Sequence, residues 1–473
     1  MKTIFKDNIF RGYDIRAQIP NELNFKGAYI LGKAYGTFLS QRRINQAVVV
    51  RDNRITGPKI RDAFVKGMLD TGINVIDHGL GTAPMMYFSQ YYNQSKGGAS
   101  ISASHNPSNY NGFKLANGFS HTLVTEEIQE LKVLAKKGKF YHPVKKGKLV
   151  KKPIFQAYLK DLQKRIPEKF NFKIVFDGGN CTPAKFMPAI FKAFGCKVIS
   201  QNIKLDGNFP LGTPDPTETD YLNRLSKTVV KHQADMGFCY DPDGDRIGVV
   251  DQDGTKIWND VLVALFAKDI IHYLPGSPII YNTLCSKIVT DVIKKAKGKP
   301  IMWVTGHSFI KAKVKETNSP FGGELSGHFF FMDNFYGHDD GAFATLRLLS
   351  YLKRTNQTLK QAISKLPKYI SSPEIKLGLP DKIKFNFISK VIGNDLKKLY
   401  PKADYIEIDG VRMDTKDTMA IVRASQNGPY ITIKYEGKTQ KQYDTLKNQL
   451  RKILKSHQEI DWSYGVNTDA FDK

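Results

Sequence analysis

Short runs rich in Val and Ile recur beside helix-like segments through about residue 350, among them Ala47–Val50, Ile174–Phe176, Met236–Tyr240 and Ile301–Val304. Alternation of buried strand-like runs with helical segments points to α/β domains. At 473 residues the chain is long for a single hydrophobic core, and about 100–200 residues per domain suggests about three or four domains. A lysine-rich stretch, residues 136–153, suits a solvated connection and predicts a boundary near 152. The strand-like IGVVDQDG (residues 247–254) precedes a helix predicted to begin near Trp258, which places the next seam. A Pro- and Ser-containing stretch, Leu366–Asp381, leads into alternating strands at Met419–Val422 and Tyr430–Tyr435, a separate α+β tail. The expected domains are therefore 1–152, 153–254, 255–368 and 369–473.

Hydrophobic residues make up 41% of the chain and charged residues 25%, values of an ordinary globular protein that argue against disorder. The beginning, MKTIFKDNIFRGYDIR, lacks the apolar stretch of a signal peptide, and no apolar run approaches bilayer length. A cytoplasmic protein without membrane residence is expected. Cys181, Cys196, Cys239 and Cys285 lie far apart with no CxxC spacing, so they predict neither a zinc site nor a disulfide framework. The net charge of +26 favours anionic partners. Because the lysines are spread along the chain and no nucleic-acid-binding signature stands out, nucleic acid is not the expected partner.

Four loops carry residues suited to chemistry. In GGASISASHNPSNYNGFK (residues 97–114) small residues give way to a polar loop in which Ser104 has His105 beside it and Lys114 ten residues on. A hydroxyl nucleophile, a proton carrier and a phosphate-pairing ammonium thus lie close in sequence, although a polar loop with a serine is more often structural. In Asp241-Pro-Asp243-Gly-Asp245-Arg246, alternating carboxylates at a strand end can converge on one hard cation, and oxygen ligands suit magnesium. An EF-hand would need glycine and glutamate where Arg246 and Gln252 stand. A bare acidic turn is the competing reading, and it is electrostatically unfavourable.

The third loop, Thr305-Gly-His307-Ser308-Phe-Ile-Lys311, is followed by Gly322-Gly-Glu324-Leu-Ser326-Gly-His328, where Glu324 and Ser326 can hydrogen-bond vicinal sugar hydroxyls. Ile310 in place of a glycine excludes a GxSxG nucleophile elbow at Ser308. The fourth, Arg423-Ala-Ser425-Gln426-Asn427-Gly428-Pro429, lies between two strand-like runs and can cradle a dianionic phosphate or simply turn a hairpin. Gly207–Thr213 carries Thr where a P-loop needs lysine, so nucleotide use is not indicated.

Taken in this order, the loops resemble the α-D-phosphohexomutase superfamily, in particular its bacterial phosphomannomutase/phosphoglucomutase branch. The resemblance spans nearly the whole chain and includes Phe10-Arg11-Gly12-Tyr13-Asp14-Ile15-Arg16, SASHNP, DPDGDR, TGHSFIK, GELSGH and Tyr336-Gly337-His338-Asp339-Asp340-Gly341. It implies three similar α/β domains with mixed sheets and a smaller C-terminal α+β domain around a central cleft, one loop from each. It further implies that Ser104 is phosphorylated, and that Asp241, Asp243 and Asp245 hold one Mg2+ against the Ser104 phosphate. Tyr13, His105, Lys287, His307, Glu324, Ser326, His328, Arg423, Ser425, Gln426 and Asn427 would contact substrate. The phosphoryl group would pass from Ser104 to a hexose monophosphate, giving a bound 1,6-bisphosphate that turns end for end. Arg246 would contact the transferring group, and Lys114, His307 and Arg16, in that order, would handle the attacking hydroxyl's proton.

The chain departs from the family pattern in places. Members usually carry Asn or Gly and then Thr where Gln426 and Asn427 stand, and Leu284 occupies about the place of a basic residue for which Lys287 is near enough to substitute. Leu325 resembles the mannose/glucose branch, since glucosamine-phosphate mutases typically show Gln there. Mannose and glucose phosphates are the expected small-molecule partners, and the protein is expected to be a monomer or weak dimer. A metal-dependent phosphatase using the aspartate loop, with Ser104 incidental, is the alternative enzyme class; a basic nucleic-acid-binding protein is the alternative outside enzymes.

Overall fold

The computed structural model describes residues 4–426 and 428–472. Tertiary packing divides the chain into two compact units. The first comprises the chain up to Pro216 with Tyr221–Lys256 and His328–Thr358; the second comprises Thr217–Asp220, Ile257–Gly327 and the chain from Leu359 on.

The first unit begins with β1 (Ile15–Gln18), α1 (Phe25–Gln41), β2 (Gln46–Arg51), α2 (Gly57–Asp70), β3 (Asn74–Leu80), α3 (Ala83–Tyr92), β4 (Gly97–Ile101) and β5 (Tyr110–Gly118). Asn24 starts α1 by accepting the Gly27 N–H at 2.9 Å, satisfying one of the orphan donors of a first helical turn. The predicted run Ala47–Val50 lies inside β2 and is wholly buried, as a strand with helices on both faces requires. The sheet runs β1-β5-β4-β2-β3, with β2 parallel to β3 and β4, and β5 antiparallel to β4 and β1. Tyr35, Phe38, Phe64 and Phe113 fill its core, Phe64 and Phe113 with ring centroids 4.6 Å apart. The lysine-rich connection contains a surprise: Leu149–Lys151 is exposed yet adds a parallel strand to β3, because the open edge of β3 offers its main-chain groups to any extended neighbour.

A second sheet in this unit places Ile247–Asp251, Met236–Tyr240, Lys173–Asp177 and Lys197–Gln201 side by side in that order. Met236–Tyr240, buried at every residue, runs parallel to Lys173–Asp177 and antiparallel to Ile247–Asp251. The six residues Asp241–Arg246 are therefore the turn of an antiparallel hairpin. The helix Gly341–Thr355 packs in the same unit: Asp340 caps it through the Phe343 N–H (2.9 Å), Tyr158 Oη donates to Asp340 (2.7 Å), and Tyr240 Oη meets Thr345 Oγ1 at 2.7 Å.

In the second unit Lys299–Trp303, Pro278–Asn282 and Phe321–Gly323 form a parallel sheet, and Asn259–Tyr273 is the helix predicted near Trp258. The C-terminal part is an antiparallel sheet ordered Asp404–Ile406, Val411–Asp414, Thr418–Ala424, Tyr430–Gly437, Ile375–Gly378, Asp461–Val466. The helix Gln440–Lys455, started by a Thr439/Gln442 capping box, lays Leu446, Leu450 and Leu454 into its core. Buried polar bonds join the two parts of this unit. Lys434 pairs with Asp260, Arg412 Nη1 donates to the Thr283 carbonyl at 2.6 Å, and Tyr369 Oη donates to Asp291 at 2.6 Å. All four cysteines are free and buried. Among the described residues no helix is long and apolar enough to cross a membrane.

Candidate active site

In the first unit, Ser104 sits in the connection from β4 to β5, where antiparallel neighbours force the chain to reverse. Its φ is +46°, a left-handed conformation that costs an ordinary side chain on the order of 1 kcal/mol and persists only when the surroundings enforce it. Arg54 does the enforcing. Its fully buried guanidinium donates to the carbonyls of Ser104 and Asn106 (both 2.6 Å) and of Pro107 and Tyr110, while its Nε is held by Asp52 at 3.1 Å. One planar fork with five donors can brace a whole loop in this way.

The Ser104 hydroxyl donates to Asp241 Oδ2 at 2.8 Å and lies 3.1 Å from His105 Nδ1. Asp241 also accepts Arg246 Nε (3.0 Å) and the Arg246 N–H (3.1 Å), and Arg246 Nη1 reaches Asp215 at 3.1 Å. Lys114, on β5, pairs with Asp243 at 2.7 Å and with Asp245. Arg16 lies in the same neighbourhood: its Nε is held by Asp14 (2.8 Å) and its Nη1 by Asn106 Oδ1 (2.6 Å). Tyr13 is buried. His328 Nε2 lies 3.4 Å from Asp245 and 3.7 Å from Asp339. Burial lowers the basicity of Lys114, Arg246 and Arg16, yet the facing carboxylates outweigh it and raise all three above their ordinary values.

Asp241, Asp243 and Asp245 are fully buried, and each brings a carboxylate oxygen within 4.8 Å of the others. The turn that gathers them needs Gly244, at φ +73°, where a Cβ would lie 2.9 Å from Thr82 Cγ2. Its carbonyls are received by first-turn amides of two helices: Ala83 N–H bonds Asp243 O (2.8 Å) and Gly341 N–H bonds Gly244 O (3.2 Å). Burial and then the neighbouring carboxylates push Asp241 above the usual carboxylate range. Asp243 Oδ1 is buried without a hydrogen-bond partner. Crowded hard oxygen donors, one of them unsatisfied, fit a divalent metal ion.

In the second unit His307 opens the helix His307–Glu316, and the amides before it are held by two carboxylates. Thr305 N–H donates to Asp409 at 2.9 Å and Gly306 N–H to Glu324 at 2.8 Å. Glu324 is buried, Ser326 half-buried, and Leu325 donates its N–H to Asn282 at 3.1 Å. Lys287 lies 3.7 Å from Asp414 and its amide donates to Glu436 at 2.7 Å; Leu284 is buried. Arg423 donates from Nε to Asp409 at 2.8 Å. Lys384, buried, donates to the carbonyls of Ser425 and Gly428 (2.8 Å), bracing the loop that carries Gln426. Asn427 lies outside the described residues.

Three family models match in succession: phosphoglucomutase/phosphomannomutase alpha/beta/alpha domain I over residues 7–142, domain II over 156–254 and domain III over 258–369. The chain belongs to the phosphoglucomutase/phosphomannomutase family. A phosphomannomutase/phosphoglucomutase of Pseudomonas putida is 36% identical over 448 residues, covering 95% of this chain and 96% of that one. A phosphoglucomutase of Neisseria gonorrhoeae is 33% identical over 98% of this chain and all of its own length. The solved structure of a phosphoglucomutase/phosphomannomutase family protein from Burkholderia thailandensis matches with a TM-score of 0.86 at 30% identity, over 96% of this chain and 98% of that one.

This phosphohexomutase thus has three α/β domains and a small α+β domain, as the sequence predicts. Several residues around its candidate site escape sequence reasoning. Arg54, Asp52 and Asp215 act on loops distant in sequence, and Lys384 and Asp409 do the same in the second unit. A signal existed for one pair: Arg51-Asp52-Asn53-Arg54 puts four polar residues directly after a wholly apolar run.

Proposed function

We propose that the enzyme reversibly moves a phosphoryl group between the 1- and 6-positions of glucose and mannose phosphates, with Ser104 as the phosphoryl carrier. The observation that carries this is a buried serine hydroxyl, held at positive φ, bonded to one of three clustered aspartates. A hydroxyl so placed, once phosphorylated, sets its dianion beside Arg246, Lys114 and Arg16. Asp241, Asp243 and Asp245 would hold Mg2+, which when bound neutralises charge on the transferring group.

The bond from phosphorus to Ser104 Oγ breaks as one forms to the free hydroxyl of a hexose monophosphate, giving the 1,6-bisphosphate. That intermediate turns over and returns its other phosphoryl group to Ser104. Lys114, His307 and Arg16, in that order, are the groups we assign to proton handling in the transfer. Lys114 and Arg16, kept charged by the facing carboxylates, serve as donors to the departing Ser104 oxygen, and His307 accepts the proton of the attacking hydroxyl. Glu324 and Ser326 bind sugar hydroxyls, with Tyr13, His105, Lys287, His307 and His328 as further contacts. The loop from Arg423 through Ser425, Gln426 and Asn427 binds the phosphate not being transferred. We assign one loop to each of the domains 1–152, 153–254, 255–368 and 369–473. The apolar, buried Leu325 favours glucose and mannose over glucosamine. The protein is proposed to act in the cytoplasm as a monomer or weak dimer on small hexose phosphates, without nucleic acid.

The test is Ser104→Ala with intact-mass analysis. The unmodified protein should carry one phosphate mapping to Ser104, and the variant should lose both that phosphate and nearly all glucose 1-phosphate turnover. Retained activity would point to a phosphatase working from the aspartates alone. Chelation should abolish turnover and Mg2+ should restore it; full activity in chelator would refute the metal assignment.

A further inference from the structure

We infer that Asp409 is a positioning residue that ties the substrate-phosphate arginine to the His307 loop, setting both for the same sugar phosphate. The inference rests on Arg423 binding the phosphate that is not being transferred.

One oxygen, Asp409 Oδ2, accepts three bonds from three distant stretches of the second unit: Arg423 Nε (2.8 Å), the Thr305 N–H (2.9 Å) and Thr283 Oγ1 (3.0 Å). The carboxylate is buried, so these bonds act where water cannot replace them. A guanidinium is planar; fixing its Nε–H and its plane fixes the directions of its other N–H groups. Asp409 thereby aims Arg423. The bond to Thr305, beside the bond from Gly306 to Glu324, holds two successive amides immediately before His307. The backbone is built for this approach: Gly410 has φ +83°, and a Cβ there would lie 2.5 Å from the Val422 carbonyl and 2.6 Å from Arg423 Cα. Asp409 also lines, with Val304, Ala424 and Gln426, a cavity of about 460 Å³, so it borders open space next to the phosphate loop.

A double-variant cycle on the full-length enzyme tests this, using glucose 1-phosphate as substrate and catalytic glucose 1,6-bisphosphate as primer. Asp409→Asn and Arg423→Ala should each raise KM roughly 10- to 100-fold, the range for a lost charge-assisted bond, with kcat reduced much less. Because Asp409 aims Arg423, the two effects should overlap: the double-variant KM should fall clearly below the product of the single effects, and any excess over Arg423→Ala alone is the part that runs through the loop before His307. A double-variant KM equal to the product of the single effects, or an Asp409→Asn KM within twofold of the unmodified enzyme, would overturn the inference. A purely structural Asp409 would lower melting temperature in both backgrounds and leave the KM of the folded enzyme unchanged. If Arg423→Ala leaves KM unaltered, the phosphate-loop assignment itself fails and takes this inference with it. If Asp409→Asn does not fold, Asp409→Glu enters the same cycle with the same outcomes decisive.

Discussion

In the first unit, buried acids crowd one another: Asp241, Asp243 and Asp245 share a turn against Lys114 and Arg246. In the second unit, two buried acids each meet one base: Asp260 with Lys434 and Asp409 with Arg423. The difference separates two uses of buried charge. A balanced pair holds parts together, and removing one partner strands the other. A crowded, unbalanced cluster fits a cation, and binding one would relieve the repulsion among its carboxylates.

The largest expected effect comes from breaking the crowded cluster. Asp243→Asn should cut turnover roughly a thousandfold or more, yet leave metal-free protein no easier to melt, because an acid is lost from an excess of acids. Thermal melting in chelator decides this; a large drop in melting temperature would erase the distinction between the units. Lys434→Met should do the opposite. It leaves Asp260 buried and unpaired at a cost of about 3–5 kcal/mol, measurable by urea unfolding, and a loss under about 1 kcal/mol would break the comparison from the other side.

Asp340 sharpens it further, as a buried acid whose basic neighbour is a histidine, His338 Nε2 at 3.9 Å, rather than a lysine or arginine. Burial, opposed by bonds from the Phe343 N–H and Tyr158, pushes its carboxyl up to about 7 from an ordinary 3.8. The folded protein therefore holds this proton more tightly than the unfolded chain between about pH 4 and pH 7, and stability falls as pH rises through that window. Asp340→Asn, neutral throughout, should flatten this part of the melting profile; an unchanged slope would show the carboxyl to be charged in the fold. The smallest effect is expected at Leu325→Gln. Relative kcat/KM for glucosamine 1-phosphate over glucose 1-phosphate should rise by about tenfold or less, and no change would remove Leu325 from the choice of sugar.

Much of the site is legible in the chain because its motifs are local. SASHNP and DPDGDR each put their chemistry within a few residues, and the strand runs around them read correctly: Met236–Tyr240 is a strand end to end, and Ala47–Val50 lies within β2. The edge strand Leu149–Lys151 was hidden, since its lysines and exposure read as solvated connection and only pairing with β3 makes it a strand. Arg54 and Asp409 were hidden for a related reason. Their partners are carbonyls and amides of segments far along the chain, and a main-chain group carries no signature in a residue type.

The amino-acid sequence by itself determined the α/β alternation, the order of the four loops and the residue types that each presents, because apolar periodicity and short motifs are local properties. Tertiary structure alone decided that Ser104 would adopt a positive φ beside Asp241, that Lys114 would face Asp243 and Asp245, and that one oxygen of Asp409 would join Arg423 to Thr305. Those are distances between segments up to 137 residues apart, set by how sheets and helices pack.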